Sequence, residues 1–418
     1  MKVCIFEDSA VHNLNPLVLM RPSFELKCGH TRLFEKIIDK YPDAEVAFIV
    51  RDYLKDVTAE RFGKAVNDFS WFDEDTLFVN GRHLALGNKP IEIHGEEAGV
   101  CDNGVVYAMA SRETIAKVQA EPPEQFVEKL VEGLPQEDVK DTLVSFPWDL
   151  VHKNVEAIED DFLKMEKTGA YGKIHPLSCI YGPEENVYIA PTAEIQPCVV
   201  IDTTGGAVII DDGVVVNPHT RIEGPTCIGR DSAIVGAKIR EGTSIGPVCK
   251  VGGEVEESII HGYSNKYHDG FLGHAYVCEW VNLGALATNS DLKNDYSTVE
   301  LYLNGELTDS GDTKVGSFIG DHTKLSIGSL LNTGTIIGIF DNLVAGGGVL
   351  PKYNPSFVWV INNKPMKGAG VKTMIRTAKT VMSRRDVDMS PAEQALVEYL
   401  FTDTSKERRE LIKKARQK

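Results

Sequence analysis

The chain has 418 residues, and its 61 acidic and 44 basic side chains give a net charge of −17. With 42% hydrophobic and 25% charged residues the composition is that of a globular protein, which excludes a disordered chain. Because so acidic a chain repels phosphate backbones and anionic lipid, we expect neither nucleic acid nor a membrane as a partner. The length is sufficient for two or three domains.

The eight cysteines are scattered, and no two of them form a CxxC pair. This spacing indicates free thiols in a reducing compartment and argues against a zinc ribbon or a disulfide framework. The N-terminal segment MKVCIFED reaches acidic residues too soon for a signal peptide, and no apolar run approaches the roughly 20 residues of a membrane span. We therefore predict a cytoplasmic protein.

The first 150 residues alternate short apolar runs with stretches of helical period. Val3–Phe6 and Val46–Val50 are predicted strands, and Thr31–Lys40 is a predicted helix between them. This alternation predicts an α/β domain over residues 1–150 with a mostly parallel sheet. From Asp149 to about Lys167 the pattern predicts one helix, ending near Gly169 and forming a linker helix over residues 151–170.

After Tyr171 an aliphatic residue recurs every six positions. A hexapeptide repeat predicts a left-handed parallel β-helix, in which three short strands form each coil and the aliphatic side chains stack inside. The domain covers residues 171–365, and residues 366–418 are predicted as a helical C-terminal tail. The clearest series are Ile189, Ile195 and Ile201; Ile210, Val216, Ile222, Ile228 and Ile234; and Ile319, Leu325, Leu331, Ile337 and Leu343.

Glycine often follows the aliphatic residue directly, which we attribute to tight turns between the strands. The six-residue phase is lost at Ser258–Asp269 and at Ser290–Lys314. We interpret both segments as insertions, and because excursions from a regular repeat often carry ligand groups, we expect the functional site near them.

The segment Ser264–Tyr296 contains a second pattern, SNKYHDGFLGHAYVCEWVNLGALATNSDLKNDY. It resembles the acetyltransferase half of the GlmU-like family, the bifunctional sugar-1-phosphate nucleotidyltransferases and hexapeptide-repeat acetyltransferases. The matching residues are His268, Phe271, Leu272, Gly273, Ala275, the run Val281–Ala285, and Asn289.

This resemblance implies that His268 is the general base that takes a proton from a sugar amine. It also implies that Asn289 holds the amine or acetyl group, and that Gly284 and Ala285 lie along the channel for acetyl-CoA, the cosubstrate. A homotrimer, with sites between neighbouring prisms, is implied as well. We expect no catalytic role for the other nearby histidines, which are His219, His261, His274 and His322.

Arg240 falls where the family has an arginine that grips the sugar phosphate. The family has a second cation at that site, a lysine, and this sequence has Ser258 in its place. Three carboxylates, Glu254, Glu256 and Glu257, lie close by in the same coil. These departures favour a neutral or positively charged amino sugar over a phosphorylated acceptor.

The N-terminal part resembles the sugar-nucleotidyltransferase domain of the same family more distantly. The resemblance implies that Arg21 and Lys27 bind substrate and that Asp149, in Phe146–Leu150, helps to hold Mg²⁺. The segment Glu7–Asn13 replaces the glycine-rich phosphate loop of the family, and Arg82 replaces its other metal-binding aspartate. Two carboxylates oppose a pyrophosphate, so this domain is either active through a different arrangement or binding-only.

The sequence thus predicts an acyl-CoA-dependent N-acetyltransferase acting on an amino-sugar phosphate or a sugar nucleotide. Its nucleotidyltransferase-like domain would belong to UDP-N-acetylglucosamine-type or dTDP-sugar synthesis, as an active or a binding domain. The alternative is a non-catalytic sensor or scaffold that binds a nucleotide sugar. In each case the partner is a small molecule.

Overall fold

A computed structural model describes residues 1–417. By their internal contacts these residues form two compact units. Unit 1 comprises Met1–Leu26, Thr31–Phe146 and Pro391–Leu396, and unit 2 comprises Lys27–His30, Pro147–Ser390 and Val397–Lys418.

Unit 1 is an α/β domain built on a seven-stranded sheet. Strand β1 is buried along its whole length and apolar after Lys2, as is usual for a central strand with a parallel neighbour on each edge. The sheet order is β3-β2-β1-β4-β6-β5-β7, with β6 antiparallel to β4 and β5. The strands are β1 (Lys2–Phe6), β2 (Glu45–Ile49), β3 (Ala65–Val66), β4 (Thr76–Asn80), β5 (Glu97–Cys101), β6 (Gly104–Ala110) and β7 (Gln136–Asp138), and the helices are α1 (Leu33–Ile38), α2 (Lys55–Phe62), α3 (Arg112–Val118) and α4 (Pro123–Val131).

Unit 2 is dominated by a parallel β-helix. Its strands are β8 (Gly169–Ala170), β9 (Lys173–Ile174), β10 (Cys179–Tyr181), β11 (Val187–Ile189), β12 (Glu194–Ile195), β13 (Val200–Asp202), β14 (Val208–Ile210), β15 (Val215–Val216), β16 (Arg221–Glu223), β17 (Thr226–Ile228), β18 (Ala233–Ile239), β19 (Thr243–Ile245), β20 (Lys250–Glu256), β21 (Ile259–Ile260), β22 (Asn265–Lys266), β23 (Phe271–Gly273), β24 (Tyr276–Val277), β25 (Asn282–Leu283), β26 (Thr288–Asn289), β27 (Glu300–Leu303), β28 (Glu306–Asp309), β29 (Ser317–Ile319), β30 (Lys324–Leu325), β31 (Leu330–Leu331), β32 (Thr335–Ile337), β33 (Asn342–Val344), β34 (Tyr353–Asn354), β35 (Val358–Ile361) and β36 (Lys364–Lys367).

The aliphatic residues of successive coils lie in register, as the six-residue period predicts. Ile189 pairs with Ile210, Ile210 with Ile228, and Ile228 with Ile245. All of these side chains are fully buried in one core that runs through the prism. The predicted fold class, an α/β domain followed by a left-handed parallel β-helix, is confirmed.

The helix predicted from Asp149 to Lys167 is in fact two helices, α5 (Pro147–His152) and α6 (Asn154–Met165), both within unit 2. The end of the second helix was also predicted wrongly. Glu166, at φ 50°, forms the left-handed C-cap, and Gly169 belongs to strand β8. Three more helices follow the β-helix: α7 (Val371–Ser383), α8 (Pro391–Asp403) and α9 (Ser405–Gln417).

The first predicted insertion, Ser258–Asp269, is wrong. Strands β21 and β22 lie within it and pair in register with the following coil. The phase is lost because the coil is shortened: Ile245 pairs with Ile260, 15 positions on, whereas Ile228 pairs with Ile245, 17 positions on. The second insertion, Ser290–Lys314, is confirmed, since it carries the antiparallel hairpin of β27 and β28 while Val277 and Ile319 still pair.

The glycines that follow the aliphatic residues do not act through positive φ angles. Gly229, Gly246, Gly284 and Gly338 have ordinary φ values, but a Cβ on any of them would collide with the backbone of the next coil. Close approach of the coils therefore selects glycine here, and the predicted reason, a tight turn, is wrong at these positions.

We expect Gly246→Ala to lower the free energy of unfolding of the β-helix by about 1–3 kcal/mol, the usual cost of overpacking. The added methyl group would overlap the carbonyl of His261. Urea unfolding followed by circular dichroism measures the loss. Gly262→Ala is the matched control, because its Cβ would lie 3.4 Å from the nearest atom, Cδ of Pro247. Equal stability of the two variants would contradict the explanation.

Candidate active site

His268 lies at an exposed corner of the β-helix, between strands β22 and β23. Its ring stands edge-on to that of Tyr267, with the centroids 5.0 Å apart. Within residues 1–417 the imidazole has no hydrogen-bond partner, although the backbone carbonyl of His268 accepts a bond from Nζ of Lys266. The imidazole is thus available to a substrate.

Gly284 and Ala285 occupy the same corner in the next coil. The backbone N–H of Leu286 donates to the carbonyl of Asp269 at 2.8 Å, which joins this corner to the residue after His268. A Cβ on Gly284 would lie 2.5 Å from the backbone nitrogen of Ile327, so the third coil excludes any side chain there. The structure therefore brings the predicted base and the predicted donor channel onto neighbouring coils.

Asn289 points inward at the end of strand β26 and is 4% exposed. Its amide accepts from the backbone N–H of Gly273 at 2.9 Å and donates to the carbonyl of Gly273 at 2.8 Å. The side chain thus braces the strand that follows the His268 corner. Its role in holding the amine or the acetyl group stays a prediction.

Arg240 is surrounded by carboxylates. Its guanidinium lies 2.8 Å from Glu256, 3.6 Å from Glu241, 3.8 Å from Glu223 and 3.9 Å from Glu254. Burial lowers the pKa of Arg240, but these neighbours outweigh burial and raise it overall. With its charge neutralised, Arg240 offers little attraction to a phosphate. Its role in binding substrate stays a prediction that the local electrostatics oppose.

His274 forms a buried cluster that the sequence analysis missed. Nδ1 lies 2.8 Å from Asp291 and Nε2 lies 3.1 Å from Glu257. Burial lowers the pKa of His274, but the hydrogen bonds to Asp291 and Glu257 outweigh it and raise the pKa to about 9. The spacing could have revealed the cluster, because Glu257, His274 and Asp291 are 17 residues apart, the same spacing that separates the paired Ile228 and Ile245 of adjacent coils.

We expect the stability of the β-helix to fall as the pH rises through about 9. The pKa of His274 is raised from 6.5, so its contribution is fully present below pH 6.5 and is lost as the folded imidazolium deprotonates. The shift corresponds to roughly 3 kcal/mol. Urea unfolding at pH 6.5 and 9.5 tests this, with His274→Gln as the comparison. A stability difference between wild type and variant that does not shrink at pH 9.5 would refute the assignment.

In unit 1, two buried ion pairs lie after strand β1. Glu7 binds Arg51, with 3.0 Å between Oε1 and Nη2, and both side chains are 2% exposed. Asp8 binds the fully buried Arg82, with 2.6 Å between Oδ2 and Nη2. Glu7 and Asp8 stand where the resembled family has its phosphate loop, and Arg82 stands where that family has a metal-binding aspartate. In this protein each carboxylate is neutralised by its arginine.

The other predicted residues of the nucleotidyltransferase site are divided between the units. Arg21 lies in unit 1 and is 2% exposed, whereas Lys27 and Asp149 lie in unit 2. The Lys27 ammonium is buried and donates to the carbonyl of His30. Asp149 is half-buried in α5.

Residues 1–417 contain no group of three or more His, Cys, Asp or Glu side chains placed to hold a metal ion. The role of Asp149 in holding Mg²⁺ stays a prediction. Among the same residues no helix combines the length and hydropathy needed to cross a membrane.

Comparison with known proteins agrees with this architecture. Residues 3–168 match the family described as sugar nucleotidyl transferase. A curated bifunctional sugar-1-phosphate nucleotidylyltransferase/acetyltransferase from Sulfurisphaera tokodaii is 33% identical over an alignment of 152 residues that covers 34% of this chain. Residues 3–168 are therefore similar to the sugar nucleotidyl transferases, and the resemblance of the chain to the GlmU-like bifunctional family is confirmed.

The alignment spans 36% of the length of that curated relative, about a third. Solved structures similar to this chain include the UDP-N-acetylglucosamine acyltransferases of Arabidopsis and of Francisella novicida. The first is 15% identical with a TM-score of 0.29 and covers 51% of this chain and 79% of its own. The second is 14% identical with a TM-score of 0.26 and covers 54% of this chain and 90% of its own.

Proposed function

We propose that this protein transfers an acetyl group from acetyl-CoA to the amine of an amino-sugar phosphate or a sugar nucleotide. One observation carries the proposal. The unpartnered imidazole of His268 stands at an exposed corner, and Gly284 and Ala285 occupy that corner in the adjoining coil. A base and a strip without bulk thus adjoin, as attack of an amine on a thioester requires.

In the proposed reaction the amine nitrogen attacks the thioester carbonyl, and His268 takes the proton that the amine loses. The new C–N bond forms, the C–S bond breaks, and the leaving thiolate receives the proton from His268. The small side chain of Ala285 leaves room for the extended arm of acetyl-CoA beside the imidazole, and Gly284 lets the backbone of the next coil pack closely behind it. Asn289 supports the corner through Gly273.

A homotrimer is part of the proposal. Two large apolar side chains follow the proposed channel on successive coils, Leu286 at 62% exposure and Ile327 at 74%. Burying them between prisms would remove apolar surface from water and would cover the acetyl-CoA arm. We further propose that the protein acts in the cytoplasm, because its eight cysteines are all free thiols.

The experiment that tests the acetyl transfer is a panel of acceptors incubated with acetyl-CoA. The panel contains an amino-sugar 1-phosphate, a nucleotide-linked amino sugar and an uncharged amino sugar. Release of the CoA thiol and the mass of the product are measured together, with a matched N-acetylated sugar as the blank. Thiol release with an N-acetyl product supports the proposal. Failure of every acceptor, together with a thermal shift by a UDP-sugar but none by acetyl-CoA, would favour the sensor or scaffold instead.

A second candidate function is nucleotidyl transfer from UTP or dTTP to a sugar 1-phosphate, which the family match over residues 3–168 favours. The ion pairs of Glu7 and Asp8 oppose it, because these carboxylates are already neutralised by buried arginines. Pyrophosphate release from a panel of nucleotides and sugar 1-phosphates with added Mg²⁺ tests the activity. If the wild-type protein releases no more pyrophosphate than Asp149→Ala does, the domain has no nucleotidyl transfer activity and its remaining function is to bind a nucleotide sugar.

A further inference from the structure

Lys266 is a cation inside the hydrophobic prism. Lys266 pairs with Val251 of the preceding coil. In the following coil Asn282 pairs with Asn265, so the next residue, Leu283, takes the place that corresponds to Lys266. The side chain of Lys266 is 3% exposed, and Val251 and Leu283 both belong to the aliphatic core. A lysine in such a place has an energetic cost that an aliphatic residue avoids, so its contacts need an explanation.

The Lys266 ammonium bonds two backbone carbonyls at one corner. Nζ lies 2.9 Å from the carbonyl oxygen of Gly252 in the preceding coil and 2.9 Å from that of His268. Gly253, at φ 71°, makes room for this group, because a Cβ there would lie 2.6 Å from Nζ. The backbone and the lysine are therefore fitted to each other around His268.

Burial lowers the pKa of Lys266 to about 8, and the nearby carboxylate of Asp269 only partly opposes this. Both the ammonium and the neutral amine can donate hydrogen bonds, so the two carbonyls remain bonded across this range. The contact is thus a fixed brace between two coils.

His268 depends on its backbone for orientation, because its imidazole has no hydrogen-bond partner among residues 1–417. We propose that Lys266 is a positioning residue, which fixes the backbone of His268 so that the imidazole faces the acceptor amine. This inference rests on the proposed acetyl transfer. A displacement of about 1 Å in a catalytic group can reduce turnover roughly 100-fold, so a brace on the base has a large effect on the rate.

The test replaces Lys266 with methionine, an unbranched side chain one atom shorter, which removes the donor. We expect kcat for acetyl transfer to fall about 10- to 100-fold with little change in either KM, while the protein stays folded. Leu283→Met is the matched control, since it makes a similar change in the same stack and is expected to leave kcat unchanged. If Lys266→Met does not fold, Lys266→Leu introduces the residue type that the following coil carries.

A double-mutant cycle separates positioning from a purely structural role. In a His268→Ala background, Lys266→Met is expected to cause no further loss of kcat, because it acts through the imidazole. An equal fractional loss in both backgrounds, or full activity of Lys266→Met, would overturn the inference. Full activity of His268→Ala would instead refute the proposed function, so the two failures are distinguishable.

Discussion

Replacing His268 with alanine is expected to reduce the acetyl-transfer rate about 10²- to 10⁴-fold, the usual contribution of a general base. The amine of a sugar acceptor must lose a proton as it attacks the thioester, and His268 is the exposed imidazole at the proposed channel. The residue makes no side-chain hydrogen bond within residues 1–417, so its removal is expected to leave the unfolding midpoint unchanged. Thiol release at saturating acetyl-CoA measures the effect.

His175→Ala is the control for this experiment, because His175 is also an exposed histidine of the β-helix, on an early coil. It is expected to retain wild-type turnover. A His268→Ala enzyme with unchanged kcat, and a control that is equally active, would remove His268 from the mechanism. Loss of activity in both variants would point to a general disturbance of the β-helix.

Replacing Glu7 with alanine is expected to lower the free energy of unfolding of unit 1 by about 3–5 kcal/mol, the cost of leaving one member of a buried ion pair unpaired. The Glu7 carboxylate accepts from Nε and Nη2 of Arg51 and also from the backbone N–H of Ser23 at 2.8 Å. The backbone N–H of Arg51 also donates to Glu7, at 3.1 Å. Without Glu7, Nη2 would keep the carbonyls of Val18 and Arg21, whereas the other three donors would lose their acceptor. Denaturant unfolding followed by circular dichroism or tryptophan fluorescence detects the change.

Glu74→Ala serves as the comparison, since Glu74 is an exposed acid before strand β4 and its loss is expected to cost no more than about 0.5 kcal/mol. A loss below about 1 kcal/mol for Glu7→Ala would contradict the structural role and would make this carboxylate available for a ligand. A large loss would mean that the end of β1, where open α/β sheets commonly bind ligands, is used here for stability.

Much of the fold could be predicted because its signals are local. A six-residue spacing of aliphatic residues specifies one inward position for each strand, and the register of Ile189, Ile210, Ile228 and Ile245 follows directly. The prediction was wrong at Ser258–Asp269 for two reasons. A shortened coil changes the spacing, and one inward position carries a lysine, Lys266, instead of an aliphatic residue.

The candidate site was only partly predictable. His268, Gly284 and Ala285 could be identified from a motif, whereas the pairing of charges could not. Arg240 was predicted to bind a phosphate, yet four carboxylates from neighbouring residues and coils surround it. His274 was given no role, yet it lies between carboxylates one coil away on either side. Most of these partners are distant in sequence, and a motif describes only a short stretch of the chain. A motif therefore cannot predict them.

The sequence by itself determined the two kinds of domain, the long insertion after Asn289 and the candidate base, because periodicity and motif spacing are properties of the chain. The tertiary structure alone decided which charges are neutralised and which are available. Glu7 and Asp8 could oppose a pyrophosphate or could bind buried arginines, and the fold brings Arg51 and Arg82 to them. The free energy of a charge depends on its surroundings, and folding assembles those surroundings from distant parts of the chain.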